Sequence, residues 1–137
     1  MEKDIDIIIY GATGFTGKLC VKYFQSLNTT LTWAIAGRNL TKLQKVSEDN
    51  QTKVEILLAD SDDESALDNL TSRARVILST TGPFHRYGSK LVASCIKNHA
   101  HYVDITGENF WVKGLIEKHH AEASAKGIRI IPSCGFD

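Results

Sequence analysis

The sequence predicts an α/β fold, in which a doubly wound parallel sheet has helices on both faces. Three observations support this fold class. Six apolar runs of strand length alternate with segments of helical spacing, several of the runs are apolar at nearly every position, and the first run leads into a glycine-rich turn. Strands separated by helices are connected by right-handed crossovers and therefore lie parallel.

Each apolar run is rich in β-branched residues, as expected of buried strands. The six predicted strands span residues 5–11, 31–37, 53–60, 75–82, 101–107 and 128–135. Proline cannot donate a ladder hydrogen bond, so we expect Pro132 to keep the last strand at an edge or to end it early. The expected strand order is 3-2-1-4-5-6, because the glycine-rich turn is typical of that arrangement.

Five helices are predicted between the strands, from apolar residues that recur at spacings of three and four. In the first helix, Phe15, Leu19, Tyr23 and Leu27 form a predicted apolar stripe, which Cys20 and Phe24 widen. The other four helices are marked by Leu40, Leu43 and Val46; by Leu67 and Leu70, with Ser61 and Asp62 as cap candidates; by Leu91, Val92, Cys95, Ile96 and His99; and by Phe110, Leu115, Ile116 and His119, with Gly127 as the stop.

Length and composition narrow the classes of protein further. The 137 residues are enough for one domain, and 16 basic residues balance 16 acidic ones. A net charge of zero argues against a nucleic-acid surface and against polybasic membrane attachment. No apolar run exceeds four residues and the start MEKDID is acidic, so we expect neither a membrane segment nor a secretory signal. Three widely spaced cysteines without a CxxC pair predict reduced thiols in a cytoplasmic protein.

The strongest motif is the turn between the first strand and the first helix. It reads Gly11, Ala12, Thr13, Gly14, Phe15, Thr16 and Gly17. Gly11 allows a sharp turn, Gly14 lets the backbone approach a pyrophosphate, and Gly17 allows close packing of the helix. The helix N-terminus would then face the anion, with Thr13 and Thr16 as additional hydroxyl donors. The motif therefore predicts a dinucleotide-binding Rossmann domain.

A phosphate-binding loop of the NTPase type is the competing interpretation, because Gly17 and Lys18 resemble its end. That loop needs glycine where this chain has Ala12. It also needs Ser or Thr as a magnesium ligand where this chain has Leu19. The sequence therefore excludes this interpretation.

The end of the second strand predicts which dinucleotide binds. An NAD site usually has an acidic residue there for the ribose 2′-hydroxyl, but this strand ends in Gly37, Arg38 and Asn39. An arginine fork suits a 2′-phosphate, which an acid would repel. We therefore predict NADP(H) as the cofactor; the alternative is that Arg38 is an ordinary surface residue near a helix start.

Two further loops are expected to complete the cofactor site. Asp60 and Ser61 follow the third strand, where Asp60 either accepts a hydrogen bond from the adenine amine or caps a helix. Small residues after the fourth strand would let the ribose and nicotinamide lie on the backbone. These residues are Thr80, Thr81, Gly82 and Pro83.

No catalytic residue is identified from the sequence. Tyr87 and Lys90 are one residue too close for the Tyr-x-x-x-Lys pair of short-chain dehydrogenases. The five histidines lack the spacing of a metal site, so no metal is predicted. Asp104 and Glu108 could orient a substrate or relay a proton beside the nicotinamide, and Glu108 could equally serve as a helix-start acid.

Five sequence blocks together resemble the saccharopine dehydrogenase-like oxidoreductases, which are related to saccharopine reductase and to trans-acting enoyl reductases. The blocks are GATGFTG, AGRN, TTGPFHRYG, HYVDITGE and CGFD, and they extend from Gly11 to Asp137. The resemblance implies an N-terminal NADP-binding Rossmann domain followed by a second domain for the substrate and for dimerisation. It also implies hydride transfer to a carbonyl, imine or enoyl group.

The resemblance sets expectations for this chain as well. We expect residues 1–137 to form the dinucleotide-binding domain, with the substrate and dimerisation domain absent from this chain and little or no turnover by these residues alone. Apolar surface near Pro132 and Phe136 predicts a homo-oligomer. The alternative is a non-catalytic NADP-binding redox sensor, and the TTGPF and CGFD blocks favour the enzyme.

Overall fold

A computed structural model describes residues 2–136. The strands are β1 (Ile5–Tyr10), β2 (Trp33–Gly37), β3 (Glu55–Leu58), β4 (Ala74–Ser79), β5 (His101–Asp104) and β6 (Ile130–Ile131). The helices are α1 (Phe15–Leu27), α2 (Leu40–Asp49), α3 (Glu64–Arg73), α4 (Phe84–Tyr87), α5 (Ser89–Lys97) and α6 (Asn109–Lys126). The short α4 is the one described helix that the sequence did not predict. Asp137, the last residue of the CGFD block, lies outside the described residues.

The six strands form one parallel sheet in the order β3-β2-β1-β4-β5-β6, which confirms the predicted doubly wound fold. Ile9 at the centre of β1 is in register with Ile35 of β2 and Leu78 of β4. Strand β6 lies at the edge and ends just before Pro132, as the missing proline N–H predicted.

Two apolar clusters cover the two faces of the sheet. One packs Val21 of α1 and Leu43 of α2 against Ile9 and Ile35. The other joins α3, α5 and α6 to the opposite face, where Ile77 and neighbouring strand residues are fully buried. Because both faces are covered at the centre, β1, β2 and β4 are apolar at nearly every position.

The predicted apolar stripe of α1 is wrong, although the helix itself is confirmed. Phe15, Leu19, Tyr23 and Leu27 are exposed, and Phe15 retains 84% of its accessible surface. Helix α1 instead turns Gly17 and Val21 toward the sheet, with Cys20 and Phe24 partly covered beside them. The two rows lie on different sides of the helix, and the need for Gly17 to approach the glycine turn decides which side faces the sheet.

Three smaller predictions, two about helix ends and one about the buried face of α6, also need correction. Asp63, rather than Ser61 or Asp62, caps α3, and its side chain accepts a hydrogen bond from the Ala66 N–H. His99 lies beyond the end of α5 with a positive φ of 60°. In α6, Phe110 and Ile116 are exposed, whereas Trp111, Leu115 and Ala123 are the buried residues. Gly127 ends α6 with a φ of 68°, as predicted.

Arg73 joins three parts of the chain near the amino ends of the strands. Its guanidinium donates to both carboxylate oxygens of Glu55 on β3, at 2.7 and 2.8 Å, and to Asp4 before β1, at 2.8 and 3.2 Å. These hydrogen bonds hold the pKa values of the Asp4 and Glu55 carboxyls below their ordinary values. The cluster therefore favours the folded state when both carboxyls are ionised.

We expect Arg73→Gln to lower the urea midpoint of unfolding at neutral pH, and the difference from wild type to shrink on acidification. Carboxyls with a lowered pKa contribute stability above their unfolded pKa, about 4, and this contribution disappears as the pH falls through the folded value. Urea titrations at about pH 7 and about pH 3 measure the difference. Lys45→Gln is the control, because Lys45 forms an exposed ion pair with Asp49 one turn away. An equal Arg73→Gln difference at both pH values would contradict this account.

Candidate functional site

A cleft of about 350 Å³ opens at the carboxyl ends of β1, β2 and β4. Parallel α/β sheets bind ligands at this edge, where the strand order reverses. Here the reversal falls between β1 and β4. The cleft is lined by Tyr10, Gly11, Thr13, Gly14, Gly37, Arg38, Ser61, Thr80, Thr81, Gly82 and Tyr87.

Gly11 forms the floor of the cleft in a conformation that favours glycine. Its φ is 88°, and a Cβ at this position would lie 2.2 Å from Thr81 Oγ1 and 2.9 Å from Thr80 Oγ1. The Gly11 and Ala12 N–H groups both donate to the Ala36 carbonyl, at 3.0 and 3.3 Å. The turn is therefore tied to β2 and packed against the loop after β4.

Gly17 allows the first turn of α1 to sit directly on the glycine turn. A Cβ at Gly17 would lie 2.0 Å from the Gly11 carbonyl oxygen and 2.8 Å from Ala12 Cα. Both neighbours are backbone atoms, which cannot move aside as a flexible side chain can. The close approach predicted for Gly17 is thus made to the β1–α1 turn itself.

The N-terminus of α1 is open to the cleft. Gly14 is its N-cap residue and has no side chain to accept hydrogen bonds from the first turn, which also contains no acidic residue. The N–H groups of the first turn of a helix have no partners within the helix. Together with the helix dipole, they make this end of α1 suited to an anion.

The two threonines after β4 have different surroundings. The Thr80 hydroxyl lies 3.1 Å from the Gly11 carbonyl and 3.3 Å from the Tyr10 carbonyl, to which it donates. Thr81 Oγ1 is buried without a hydrogen-bond partner among the described residues, although Thr81 lines the cleft. A buried hydroxyl without a partner costs free energy, so a polar ligand group in the cleft would satisfy it. This atom and the glycine floor fit a dinucleotide.

Arg38 lies exposed at the mouth of the cleft, where β2 ends. Asn39 next to it is the N-cap of α2, and its side chain accepts a hydrogen bond from the Lys42 N–H at 3.0 Å. Lys18, Lys42 and Lys45 line a neighbouring depression together with Thr13 and one acidic residue, Asp49. The adenosine side of the cleft therefore carries several positive charges, as a 2′-phosphate site requires.

The loop after β3 places Asp60 and Ser61 differently. Ser61 lines the cleft, whereas the Asp60 side chain accepts a hydrogen bond from the Asp62 N–H at 2.9 Å and so closes a local turn. Helix capping, one of the two roles considered for Asp60, belongs to Asp63. Contact between Asp60 and an adenine amine stays a prediction.

The structure gathers part of the predicted site around the cleft and leaves part outside it. Nine predicted residues line the cleft: Gly11, Thr13, Gly14, Gly37, Arg38, Ser61, Thr80, Thr81 and Gly82. Six do not: Ala12, Phe15, Thr16, Asn39, Asp60 and Pro83. Ala12 is fully buried, Phe15 points outward, and Pro83 is the N-cap of α4.

Two tyrosines of the cleft were missed by sequence reasoning. Tyr10 donates to the Ala59 carbonyl at 3.1 Å, and burial followed by the nearby Asp60 charge raises the pKa of its hydroxyl well above the ordinary value. Tyr87 enters the cleft from α4. The sequence feature that could have identified Tyr10 as a cleft residue is its position directly before Gly11. Tyr87 lies inside the TTGPFHRYG block.

A second set of polar contacts joins the loops after β4 and β5. Glu108, the N-cap residue of α6, turns its carboxylate toward α4 and accepts from the Phe84 and His85 N–H groups, at 2.6 and 3.0 Å. Its Oε1 also contacts His85 Nδ1 at 2.5 Å. Burial opposes ionisation of Glu108, but these hydrogen bonds outweigh it and lower the carboxyl pKa.

Asp104 at the end of β5 holds the last described segment of the chain. Its buried carboxylate accepts hydrogen bonds from the Tyr102 hydroxyl at 2.6 Å, the Thr106 N–H at 2.9 Å and the Ser133 N–H at 2.8 Å. Burial, followed by the Asp104 charge, raises the pKa of the Tyr102 hydroxyl. Asp104 thus fixes the segment around Ser133 and Gly135 at the same sheet edge as the cleft.

Comparison with known proteins identifies the family. Residues 7–131 match the sequence profile of the saccharopine dehydrogenase NADP binding domain. The chain belongs to this family. The prediction of NADP(H) as the cofactor is confirmed at the level of the family, as is the predicted resemblance.

Similar proteins include both curated relatives and solved structures. The chain is 40% identical to a trans-acting enoyl reductase of Mycobacterium leprae over 99% of this chain and 33% of the relative. Apo saccharopine dehydrogenase (L-Glu forming) from Saccharomyces cerevisiae superimposes with a TM-score of 0.76 at 20% identity, over 95% of this chain and 27% of that one. A short-chain dehydrogenase/reductase from Veillonella parvula in complex with NADP superimposes with a TM-score of 0.61 at 14% identity. The superposition covers 77% of this chain and 48% of that one.

These likenesses differ in what they establish. The two solved structures are below 25% identity and show the shared fold. The curated relatives are reductases, which makes the family one of oxidoreductases, and the chain spans about a third of their length. Within residues 2–136, no helix is both long and apolar enough to cross a bilayer.

Proposed function

We propose that this chain holds NADP(H) for an oxidoreductase that reduces a carbonyl, imine or enoyl group. The observation that carries the proposal is the open N-terminus of α1, which faces the same cleft as Arg38 across the glycine turn. One feature suits a pyrophosphate and the other a 2′-phosphate. The cleft therefore offers one site for each anionic group of NADP(H): the N-terminus of α1 for the pyrophosphate and Arg38 for the 2′-phosphate.

The binding roles follow from the geometry. The first-turn N–H groups after Gly14 would donate to the pyrophosphate, and Gly14, which has no Cβ, would let the pyrophosphate approach the backbone. Arg38 would hold the 2′-phosphate through paired hydrogen bonds, with Lys42 nearby as a second cation. The Asn39 side chain serves indirectly, because it fixes the start of α2 beside Arg38.

The loop after β4 would hold the other end of the cofactor. Thr81 Oγ1 gains a partner when a ribose or carboxamide group enters the cleft. Gly82 leaves room for the ring beside the backbone, and Tyr87 closes the cleft from α4. The bound dinucleotide supplies the hydride, and the protein supplies its position and its electrostatic surroundings.

Among the three substrate classes, we place the enoyl group first, because the curated relatives are trans-acting enoyl reductases. Those relatives are about three times as long as this chain, so we assign the substrate walls to protein outside residues 1–137. Without such walls, residues 1–137 would expose the reacting ring to water and show little turnover.

Turnover by the whole protein tests this proposal. We expect loss of NADPH absorbance with a 2-enoyl thioester, and weaker activity with a ketone or a cyclic imine as comparison substrates. Thr81→Val should reduce the rate, because it removes a buried hydroxyl that has no partner among residues 2–136 while keeping the side-chain volume. Arg75→Ala, near the amino ends of the strands and away from the cleft, is the control that should leave the rate unchanged. Absence of NADPH oxidation with all three classes would contradict the proposed reaction.

We also propose that the α6–β6 edge is an association surface. Ile116 and Ile131 are exposed there and line a groove of about 340 Å³, and Phe136 is exposed farther along the chain, next to Gly107. Exposed apolar area of this kind favours association with a further domain or a second copy. Light scattering on residues 1–137 should detect a dimer or larger species. A monomer at every concentration would contradict the proposed association surface.

A further inference from the structure

The contact between His85 and Glu108 lies beside the half of the cleft that would hold the nicotinamide. His85 belongs to α4, between Gly82 and Tyr87, which both line the cleft. Glu108 comes from the loop after the next strand, β5. In a sheet of this order the adenosine lies over the β2 side of the crevice and the nicotinamide over the β4 side. The pair thus lies on the β4 side of the crevice, next to the region where the reacting end of the cofactor would lie.

The Glu108 carboxylate is held more firmly than that of an ordinary surface residue. It accepts two backbone N–H groups from Phe84 and His85, and its own N–H donates to the Thr106 hydroxyl at 3.1 Å. Those backbone contacts already fasten α4 to the β5–α6 loop. The additional contact with His85 Nδ1 is not needed for that purpose, so it calls for a separate explanation.

The His85 ring is contacted by Glu108 and Phe110, and its remaining side is exposed. Glu108 contacts Nδ1, and the Phe110 ring packs against the imidazole with centroids 5.4 Å apart. Nε2 has no hydrogen-bond partner within the part of the chain that the structure describes, and half of the side chain is exposed. A carboxylate that accepts a hydrogen bond from one ring nitrogen fixes the orientation of the ring and stabilises the imidazolium form, in which the other nitrogen also carries a proton.

We propose that His85 is a catalytic residue, which donates the proton that accompanies hydride transfer, and that Glu108 is its positioning residue. This inference rests on the proposed function. The Nε2–H bond breaks, and a new O–H, N–H or C–H bond forms on the carbonyl, imine or enoyl group. The hydride comes from NADPH, which is oxidised to NADP⁺, and solvent reprotonates the half-exposed ring.

Other charged groups near the ring do not replace this pairing. On α4, the Arg86 guanidinium lies over the Tyr87 ring, 5.6 Å from its centroid. From α6, the ring is faced by Glu108 and the uncharged Phe110. Among the described residues, Glu108 is therefore the charged group in direct contact with the His85 ring.

Proton release on cofactor binding provides the test. Calorimetric titrations of the whole protein with NADP⁺ and with NADPH are run at about pH 6.5, where histidine is partly protonated, in buffers of different ionisation enthalpy. The positive nicotinamide of NADP⁺ should expel the His85 proton, whereas NADPH should not. Protons exchanged by the 2′-phosphate occur with both forms and cancel in the difference.

We expect NADP⁺ binding to release about 0.2 to 0.5 proton more per site than NADPH binding. The difference should vanish in His85→Asn, fall by at least about half in Glu108→Gln, and persist in His120→Asn, which alters an exposed histidine of α6.

Binding of both forms with equal proton release in the wild type would overturn the inference and leave the proposed function standing. A difference that survives in His85→Asn would also overturn it. If neither form binds, the proposed function fails and the inference fails with it. An unchanged difference in Glu108→Gln would overturn the role of Glu108.

Discussion

Replacing Gly17 with alanine should lower the free energy of unfolding by about 2–3 kcal/mol and weaken NADPH binding at least about tenfold. The new Cβ would lie 2.0 Å from the Gly11 carbonyl oxygen, so either α1 or the glycine turn must move. Both contribute to the pyrophosphate side of the cleft, and the displacement therefore affects stability and binding together. Urea unfolding and a calorimetric titration with NADPH measure the two effects.

Gly114→Ala is the matched control for that substitution. Gly114 lies within α6, and a Cβ there would have no neighbour within 4 Å. Alanine is favoured over glycine inside a helix by about 0.5–1 kcal/mol, so this variant should be slightly more stable and bind NADPH normally. If Gly17→Ala behaved like Gly114→Ala, the close contact between α1 and the turn would be refuted.

Removing the Asp104 carboxylate should have the second large effect. Asp104→Ala is expected to cost about 3–4 kcal/mol, because the Tyr102 hydroxyl and the N–H groups of Thr106 and Ser133 would lose their common acceptor. Asp104 itself is only 2% exposed, so water cannot easily take its place. Denaturant unfolding measures the loss, and hydrogen exchange at the Ser133 amide shows whether the final segment detaches.

Asp104→Asn separates charge from shape at this position. Its amide oxygen can still accept from the Thr106 and Ser133 N–H groups, so we expect a smaller cost of about 1–2 kcal/mol. Asp49→Ala, an exposed carboxylate on α2, should change stability by less than about 0.5 kcal/mol. An Asp104→Ala variant as stable as Asp49→Ala would show that the carboxylate does not hold this segment.

The fold and the glycine turn could be predicted from the sequence because their signals are local. A strand covered on both faces is apolar throughout, and Gly11 and Gly17 report backbone requirements that no other residue meets. Pro132 marked the end of β6 for the same kind of reason. Each of these features can be recognised from the residue types within one short segment.

The remaining features depend on contacts between distant segments. The exposed row that includes Phe15 and Leu19 has the same i, i+4 spacing as a buried row, so periodicity cannot tell which side of α1 meets the sheet. Glu108 could be recognised as a helix-start acid. Its turn toward His85, 23 residues away, follows only from the packing of the loops after β4 and β5.

The central claim is that this cleft selects the 2′-phosphate of NADP(H) through Arg38. Calorimetric titration of the whole protein with NADPH and with NADH, repeated with Arg38→Ala, tests it most directly. Arg75→Ala is the control, because Arg75 lies near the amino end of β4 and the cleft lies at the carboxyl ends of the strands. We predict that NADPH binds about 10- to 100-fold more tightly than NADH, that Arg38→Ala removes most of this preference, and that Arg75→Ala keeps it. Equal affinities in the wild type, or a preference that Arg38→Ala leaves intact, would contradict the account.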